Sequence, residues 1–262
     1  MARLRSDVRA SVAQYYDLDP TPPDDVPFYK RLVPSHNAAV LELGCGTGRV
    51  LVPLAEHCAF IQGIDSSDAM LDICRQKLEQ VRIPTERARV TGGDITDFDL
   101  GRCFDLIIAP YRVMQNLETD RQVEGLFAGI ERHLARGGSC VLNVFRPKFQ
   151  VVELCRRWST EEETFQWEVP VEGGRVTCHD RRPFLNRDPL ILYPELIWRR
   201  YEGERLVDDA RLRIAMRCYY PDEFARLITA HGFRILNRWG GYAGEPYGEG
   251  LELVVQFAKQ DA

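Results

Sequence analysis

The chain has 262 residues, of which 45% are hydrophobic, 10% aromatic and 28% charged. This composition excludes disordered and fibrous proteins and leaves room for one sizeable α/β domain with an insertion or a small second domain. The formal net charge of −5 argues against nucleic acid or an anionic membrane as the main partner, because both reward a concentrated basic surface.

Targeting and metal-binding patterns are missing from the sequence. It contains no run of about eighteen uncharged apolar residues, and its start lacks the apolar run of a signal peptide, so we expect a cytoplasmic protein. The 8 cysteines and 5 histidines are scattered, without paired CxxC spacing. We therefore expect reduced thiols and no metal site.

The first 37 residues are rich in proline and aspartate and predict an arm laid over the rest of the protein. Its prolines, among them Pro27, are expected to break any regular element except a short helix over residues 8–16. Four aromatic residues of this arm, Tyr15, Tyr16, Phe28 and Tyr29, either fasten it to the core or face a bound ligand.

From residue 38 the pattern becomes that of alternating strands and helices. Short apolar runs bounded by glycine and aspartate predict strands at 39–43, 59–64, 88–91, 104–109 and 139–145, separated by stretches of helical periodicity. This alternation predicts a doubly wound, mostly parallel sheet. A helix from Pro221 precedes two strands at 233–239 and 251–258, and their short connection predicts antiparallel pairing.

Between residues 147 and 219 the apolar residues alternate in twos, notably over 191–201 and 206–218, which predicts an inserted antiparallel sheet. We therefore expect an arm (1–37), a main domain (38–146 with 220–262) and an inserted substrate or oligomerisation subdomain (147–219). A homodimer would form through the inserted sheet. Trp158 in this segment either shapes an aromatic pocket or packs between sheets.

A glycine-rich turn, LGCGTG over residues 43–48, lies where the first strand meets a helix. Glycines there allow backbone amides to approach a ligand closely. A tight turn without a ligand and a turn that binds NAD or FAD are the competing interpretations. Glu42 disfavours a dinucleotide, because its carboxylate would repel a pyrophosphate but attract an ammonium or sulfonium group.

Two further carboxylates end neighbouring strands. Asp65 ends the second strand, where an acidic residue can accept hydrogen bonds from both ribose hydroxyls of a nucleoside. Asp94 ends the third strand and can accept a hydrogen bond from an adenine amino group, with Ile95 against the adenine ring. Alternatively, Asp94 caps a turn. The three carboxylates together predict a nucleoside site at one edge of the sheet.

These residues and their order resemble the class I S-adenosylmethionine-dependent methyltransferases. The matching segments are VLELGCGTG (40–48), GIDSS (63–67) with Met70, GD (93–94), FDLI (104–107) and LARGG (134–138). The resemblance implies seven strands with the last antiparallel, an arm that covers the cofactor, and a transferase of the bacterial small-molecule type. It places in the cofactor site Tyr16, Tyr29, Glu42, Gly44, Cys45, Gly46, Gly48, Asp65, Ser66, Met70, Asp94, Ile95 and Pro110.

By the same resemblance, the loop after the fourth strand contacts the methyl acceptor. Its candidates are Tyr111, Arg112 and Asn116, and Arg146 after the fifth strand would meet an anionic group or pair with a surface acid. We expect in-line methyl transfer to a nitrogen or oxygen of a small molecule. The enzyme would promote it by holding the acceptor close to the methyl group, since the sequence shows no obvious general base. A non-catalytic protein that binds S-adenosylmethionine and an NAD-dependent oxidoreductase are the alternatives.

Overall fold

Residues 7–158 and 160–260 are described by the computed structural model of the chain, and twelve strands within them form two sheets. The strands are β1 (Ala39–Leu43), β2 (Phe60–Asp65), β3 (Ala88–Gly92), β4 (Phe104–Ala109), β5 (Leu134–Phe145), β6 (Thr160–Val171), β7 (Gly174–Arg187), β8 (Leu190–Glu202), β9 (Arg205–Arg213), β10 (Met216–Arg217), β11 (Phe233–Trp239) and β12 (Glu252–Lys259). The helices are α1 (Val26–Leu32), α2 (Leu51–Leu54), α3 (Asp68–Gln80), α4 (Asp120–His133), α5 (Val151–Trp158) and α6 (Pro221–Ala230).

The first sheet has seven strands in the order β11-β12-β5-β4-β1-β2-β3. Strands β1 to β5 are parallel to one another, whereas β12 runs antiparallel to both β5 and β11. This arrangement confirms the predicted doubly wound sheet with an antiparallel last strand. Because the parallel strands share a direction, the carboxyl ends of β1, β2, β3 and β4 meet at one edge, where the candidate residues lie.

Alternating residues of the strands supply two apolar cores, one on each face of the first sheet. In β1, Leu41 and Leu43 pack with Phe127 of α4 and Phe224 of α6. Val40, the residue before Leu41, packs on the opposite face with residues of α2 and α3. Both faces of the sheet are therefore covered by helices, which explains why its strands are apolar throughout.

The second sheet, inserted between β5 and α6, has five antiparallel strands. β6, β7 and β8 follow one another, and β9 and β10 both pair with β8. The inserted antiparallel sheet is thus confirmed. Strand β6 forms an edge and exposes Phe165. The predicted homodimer through this sheet stays a prediction.

Three predictions about the local structure were wrong. Pro27 does not break the arm but lies in the first turn of α1, where a missing N–H costs no hydrogen bond. The predicted helix over 8–16 is a shorter 3-10 helix, Ala13–Leu18. Strand β5 begins at Leu134, ahead of the glycine pair that was expected to precede it.

The segment after β5 also contains α5, which the sequence did not predict. Its apolar residues Val151, Leu154, Cys155 and Trp158 follow helical spacing, but the helix has only 8 residues, too few for the period alone to distinguish it from a strand or loop. None of the described helices is long and apolar enough to cross a membrane. All eight cysteines, each of them among the described residues, are free thiols.

Candidate functional site

The glycine turn between β1 and α2 is held to the end of β2 by its own backbone. The amides of Gly44 and Cys45 both donate to the Ile64 carbonyl, at 2.7 and 3.0 Å. Gly44, Gly46 and Gly48 have φ angles of +69°, +52° and +81°. Since side chains disfavour this left-handed region, the backbone path itself requires glycine at these alternate positions.

Space around the turn differs from one glycine to the next. A Cβ built on Gly44 would lie 2.6 Å from a methyl carbon of Val113, in the loop after β4. A Cβ on Gly46 would meet no atom within 4 Å. Gly44 therefore lets the loop after β4 approach closely, whereas Gly46 borders open space in which a ligand has room.

Asp65 ties this turn to the start of α3. It is 8% exposed, and its two carboxylate oxygens accept from the amides of Gly46 (2.8 Å) and Ser67 (2.9 Å). The Ser67 side chain in turn caps α3 by accepting from the Met70 amide at 3.3 Å. Ser66, between Asp65 and Ser67, is exposed, and Met70 is buried.

Glu42 is buried beside the turn, and its Oε2 atom has no hydrogen-bond partner. Burial raises the pKa of its carboxyl well above the ordinary value, and the neighbouring Cys74 thiol adds to this, while Arg49 opposes it. An unsatisfied buried carboxyl is costly unless a donor or a cation reaches it. The site therefore fits the ammonium group of a bound methionyl ligand.

Asp94 shapes the turn that follows β3. Its Oδ1 atom accepts from the amide and hydroxyl of Thr96, at 2.9 and 2.7 Å. The preceding Gly93 amide donates to the Asp65 carbonyl at 2.9 Å, which brings the end of β3 beside the end of β2. Ile95 is half-buried against the core. Asp94 thus has the turn-capping role considered above, at the expected edge of the sheet.

The loop after β4 contains consecutive residues in the left-handed region. Pro110 is buried, and Tyr111 and Arg112 follow with φ of +56° and +66°. Each such non-glycine residue costs about 1–3 kcal/mol and persists only where its surroundings enforce it. Tyr111 is 43% exposed, and the guanidinium groups of Arg49 and Arg112 lie 5.5 and 5.9 Å from its ring centroid.

A buried polar network enforces this conformation. The Arg112 amide donates to Asn143 Oδ1 at 3.1 Å, and its guanidinium pairs with Glu252 at the start of β12. Asn143, fully buried in β5, also donates to Glu252 at 3.0 Å. Neither Asn143 nor Glu252 was predicted as a site residue from the sequence, because both lie in apolar strands far from Arg112 in the chain.

The other two acceptor-side candidates have backbone or arm partners. Asn116 accepts from Arg9 of the arm at 3.2 Å and donates weakly to the Arg112 and Val113 carbonyls. Arg146 donates to the Gly250 carbonyl at 2.6 Å rather than to a surface acid. The structure therefore brings Asn116 next to the strained loop and places Arg146 at the end of β5.

The arm crosses the glycine turn. Asp17 accepts from the Thr47 hydroxyl and pairs with Lys77 of α3, both at 2.7 Å. Further along, the fully buried Asp25 binds both guanidinium nitrogens of Arg49, one at 2.9 Å. These contacts, which the sequence did not predict, hold the arm over the edge of the sheet where β1 and β2 end.

Three aromatic residues of the arm are buried in apolar cores, and the fourth, Tyr16, is not. Tyr15 is buried against the second sheet, and its hydroxyl donates a hydrogen bond to Asp208. Phe28 and Tyr29 are instead buried in a core of the first sheet. Burial raises the pKa of the Tyr111 phenol, and Tyr16, which is half-buried nearby, adds to this. Tyr16 is thus the member of the group placed at the strained loop.

Comparison with known proteins relates this arrangement to a family. The family described as "Methyltransferase domain" matches residues 40–138. A dTDP-4-amino-2,3,4,6-tetradeoxy-D-glucose N,N-dimethyltransferase of Saccharopolyspora spinosa is 33% identical over 40% of this chain and 39% of its own length. The phosphatidylethanolamine N-methyltransferase of Cereibacter sphaeroides is 30% identical over 60% of this chain and 76% of its own.

Two further similarities extend over most of the chain. A dTDP-3-amino-3,4,6-trideoxy-alpha-D-glucopyranose N,N-dimethyltransferase of Streptomyces venezuelae is 28% identical over 83% of both chains. The solved structure of the CcbJ methyltransferase from Streptomyces caelestis superposes with a TM-score of 0.75 at 22% identity, covering 97% of this chain and 98% of that one. The chain therefore belongs to the class I S-adenosylmethionine-dependent methyltransferases and is an enzyme that takes its methyl group from this cofactor.

Proposed function

We propose that the enzyme transfers the methyl group of S-adenosylmethionine to a nitrogen of a small-molecule acceptor by in-line displacement. The relatives named above support nitrogen as the acceptor atom, since their names describe N- or N,N-methylation. The bound cofactor supplies a methyl group activated by positive sulfur, so the protein has chiefly to position a nucleophile. An uncharged amine carries the lone pair that this displacement requires.

The residues at the sheet edge have separate roles in this proposal. Glu42 receives the ammonium group of the cofactor, and the open side of Gly46 leaves room for its methionyl chain. Asp65 has spare lone pairs for the ribose hydroxyls beyond the two amides that it already accepts. Asp94 and Ile95 border the adenine ring.

One observation carries the proposal: the strained loop and the glycine turn are in contact. The Val113 side chain fills the space that a Cβ of Gly44 would need, so the Tyr111–Arg112 backbone is fixed against the cofactor turn. An acceptor that rests on Tyr111 is then held close to the methyl group. Fixed geometry of this kind is the main rate contribution available to a displacement without acid or base help.

The arm serves in this proposal as a cover that excludes water. Its contacts through Asp17 and Asp25 pass over the glycine turn, and Tyr16 lies near Tyr111. Exclusion of water protects an electrophilic cofactor and strengthens the electrostatic contacts around it. Such a cover has to open for the cofactor to exchange.

The test is a methylation assay with S-adenosylmethionine that carries a deuterated methyl group. The assay compares amino sugars and a peptide with a free α-amino group against matched compounds with a hydroxyl in place of the amine. Mass spectrometry identifies the products. We expect label on nitrogen in at least one amine and none in its hydroxyl counterpart. Label that appears on oxygen alone would overturn the proposal.

A pair of glycine variants controls for damage to the fold. Gly44→Ala places a methyl group against Val113 and should abolish both cofactor binding and transfer. Gly101 has a similar positive φ, +63° against +69° at Gly44, but an open site in an exposed turn, so Gly101→Ala carries a similar backbone strain away from the cofactor. Equal loss of activity in both variants would show that strain, rather than the contact at the turn, is responsible.

A further inference from the structure

A cavity of about 380 Å³ opens beside the acceptor side of the site. It lies between the end of β5, helix α5 and strands β7, β8 and β10, so both the first sheet and the inserted sheet contribute to its walls. Arg112 and Phe145 line it, and Arg112 belongs to the strained loop described above. A molecule in this cavity is therefore next to the residues proposed to hold the methyl acceptor.

The charge of the cavity wall is positive. None of its described lining residues is acidic, whereas five are cationic: Arg112, Arg146, Lys148, Arg157 and Arg182. Carboxylates outside the wall pair with three of these, namely Glu252 with Arg112, Glu153 with Arg157 and Asp180 with Arg182.

The remaining two cations have no counter-ion among the described residues. Arg146 donates to the carbonyl oxygens of Gly250 and Glu249, which hold its guanidinium in place without neutralising it. Lys148 is exposed and forms no hydrogen bond or ion pair with any residue in the described ranges. In a protein of net charge −5, two uncompensated positive charges on one wall favour an anion.

The rest of the wall is aromatic and aliphatic. Arg157 lies 4.6 Å from the ring centroid of Phe149, and Arg182 lies 5.3 Å from that of Trp158. The Trp158 indole is fixed by donating to the Phe184 carbonyl at 2.9 Å. Leu154 adds aliphatic surface. Such a wall favours a flat, apolar body attached to the anionic group.

We propose that this cavity, the basic cavity, binds the anionic end of the acceptor, a phosphate or carboxylate joined to a planar ring. This inference rests on the proposed function, because it names the substrate class of the same site. The anion lies against Lys148 and Arg146, the ring lies against Phe149 and Trp158, and the reacting nitrogen points past Arg112 to the cofactor.

Calorimetry on the enzyme saturated with S-adenosylhomocysteine tests binding apart from turnover. The probes are thymidine diphosphate and benzoate, which join a ring to an anion, thymidine, which lacks the anion, and pyrophosphate, which lacks the ring. We expect both ring-bearing anions to bind more tightly than thymidine, with an affinity that falls as salt is added. Phenyl phosphate compared with benzoate, which carries the same ring, then distinguishes phosphate from carboxylate as the preferred anion.

Two variants and a control separate the contributions. Lys148→Glu should weaken both ring-bearing anions about five- to tenfold, as expected for reversing one partly screened charge. Phe149→Ala should weaken thymidine diphosphate but not pyrophosphate. Arg136→Glu, an equal charge reversal at an exposed position near the opposite end of β5, should change neither.

The outcomes distinguish this inference from the proposed function. If the ring-bearing anions bind no more tightly than thymidine while amines are still methylated, the basic cavity is not an anion site and the proposed function stands. Equal weakening by Lys148→Glu and Arg136→Glu would also overturn it, since only the overall charge would then matter. Anion binding without methyl transfer to any nitrogen would instead overturn the proposed function.

Discussion

Replacing Glu42 by glutamine tests the placement of the cofactor ammonium group most directly. The side chain keeps its size, so the packing around β1 is preserved, but the site can no longer carry a negative charge. In the wild-type protein the Glu42 Oε2 atom is buried without a partner, and burial raises the pKa of this carboxyl well above its ordinary value. A cationic ligand reverses that situation by stabilising the ionised form.

The size of the effect follows from the hydrogen bond that is lost. A buried hydrogen bond between charged groups contributes about 1.5–3 kcal/mol, which corresponds to a dissociation constant about 10- to 100-fold larger. Because the ammonium group lowers the raised pKa of Glu42, binding also releases a proton wherever this carboxyl is protonated in the free enzyme. Affinity for the wild type should therefore rise with pH until the carboxyl ionises in the free enzyme, and this slope should vanish in Glu42→Gln.

Isothermal titration with S-adenosylhomocysteine measures both quantities. Titrations in two buffers of different ionisation enthalpy count the protons released, and a pH series gives the slope. Glu124→Gln, at an exposed position of α4, removes the same charge away from the site and serves as the control. An unchanged dissociation constant and unchanged proton release in Glu42→Gln would refute the assignment of the ammonium group to this carboxyl.

Three further results are expected. Arg49→Ala leaves the buried Asp25 carboxylate unpaired and should lower the free energy of unfolding by about 3–5 kcal/mol. The double variant Asp25→Asn/Arg49→Ala should recover part of this loss, and urea denaturation measures the unfolding free energy of each variant. Asp65→Asn cannot accept from the amides of Gly46 and Ser67 together, so thermal unfolding should show a lower Tm and a smaller shift with S-adenosylhomocysteine. Because burial raises the pKa of Glu42, its contribution to stability is present below the ordinary glutamate pKa and lost as pH rises through the raised value. Glu42→Gln should therefore lose less stability than the wild type as pH rises above the ordinary glutamate pKa, as followed by denaturation at each pH.

Strands were predicted well where an apolar run ended just before a glycine or a proline. The predicted bounds of β1, β4 and β11 coincide with those in the structure, because period and turn residues agree there. The arm was predicted less well. A proline marks a break in one context and a helix start in another, and the packing of Phe28 and Tyr29 onto the core decided for α1.

The polar network of the site could not be predicted from local pattern. Glu252 is separated from Asn143 by 109 residues and from Arg112 by 140, so no spacing rule connects them. The cofactor side differs, since the glycine turn and Asp65 follow directly from strand ends. Asp94 was placed at the expected edge, but its bonds to Thr96 emerged only from the structure.

The inserted sheet has an apolar core of its own. Trp198 and Leu212 pack there with Val176, together with Tyr15 from the arm, and none of these residues belongs to the cores of the first sheet. Substitutions in the insertion can therefore accumulate while the packing beneath the methyl donor is untouched. A lineage with this architecture is free to explore new acceptors by remodelling one wall of the basic cavity. A chimaera that exchanges residues 147–218, and so keeps Tyr219 in the core of the first sheet, should still bind S-adenosylmethionine.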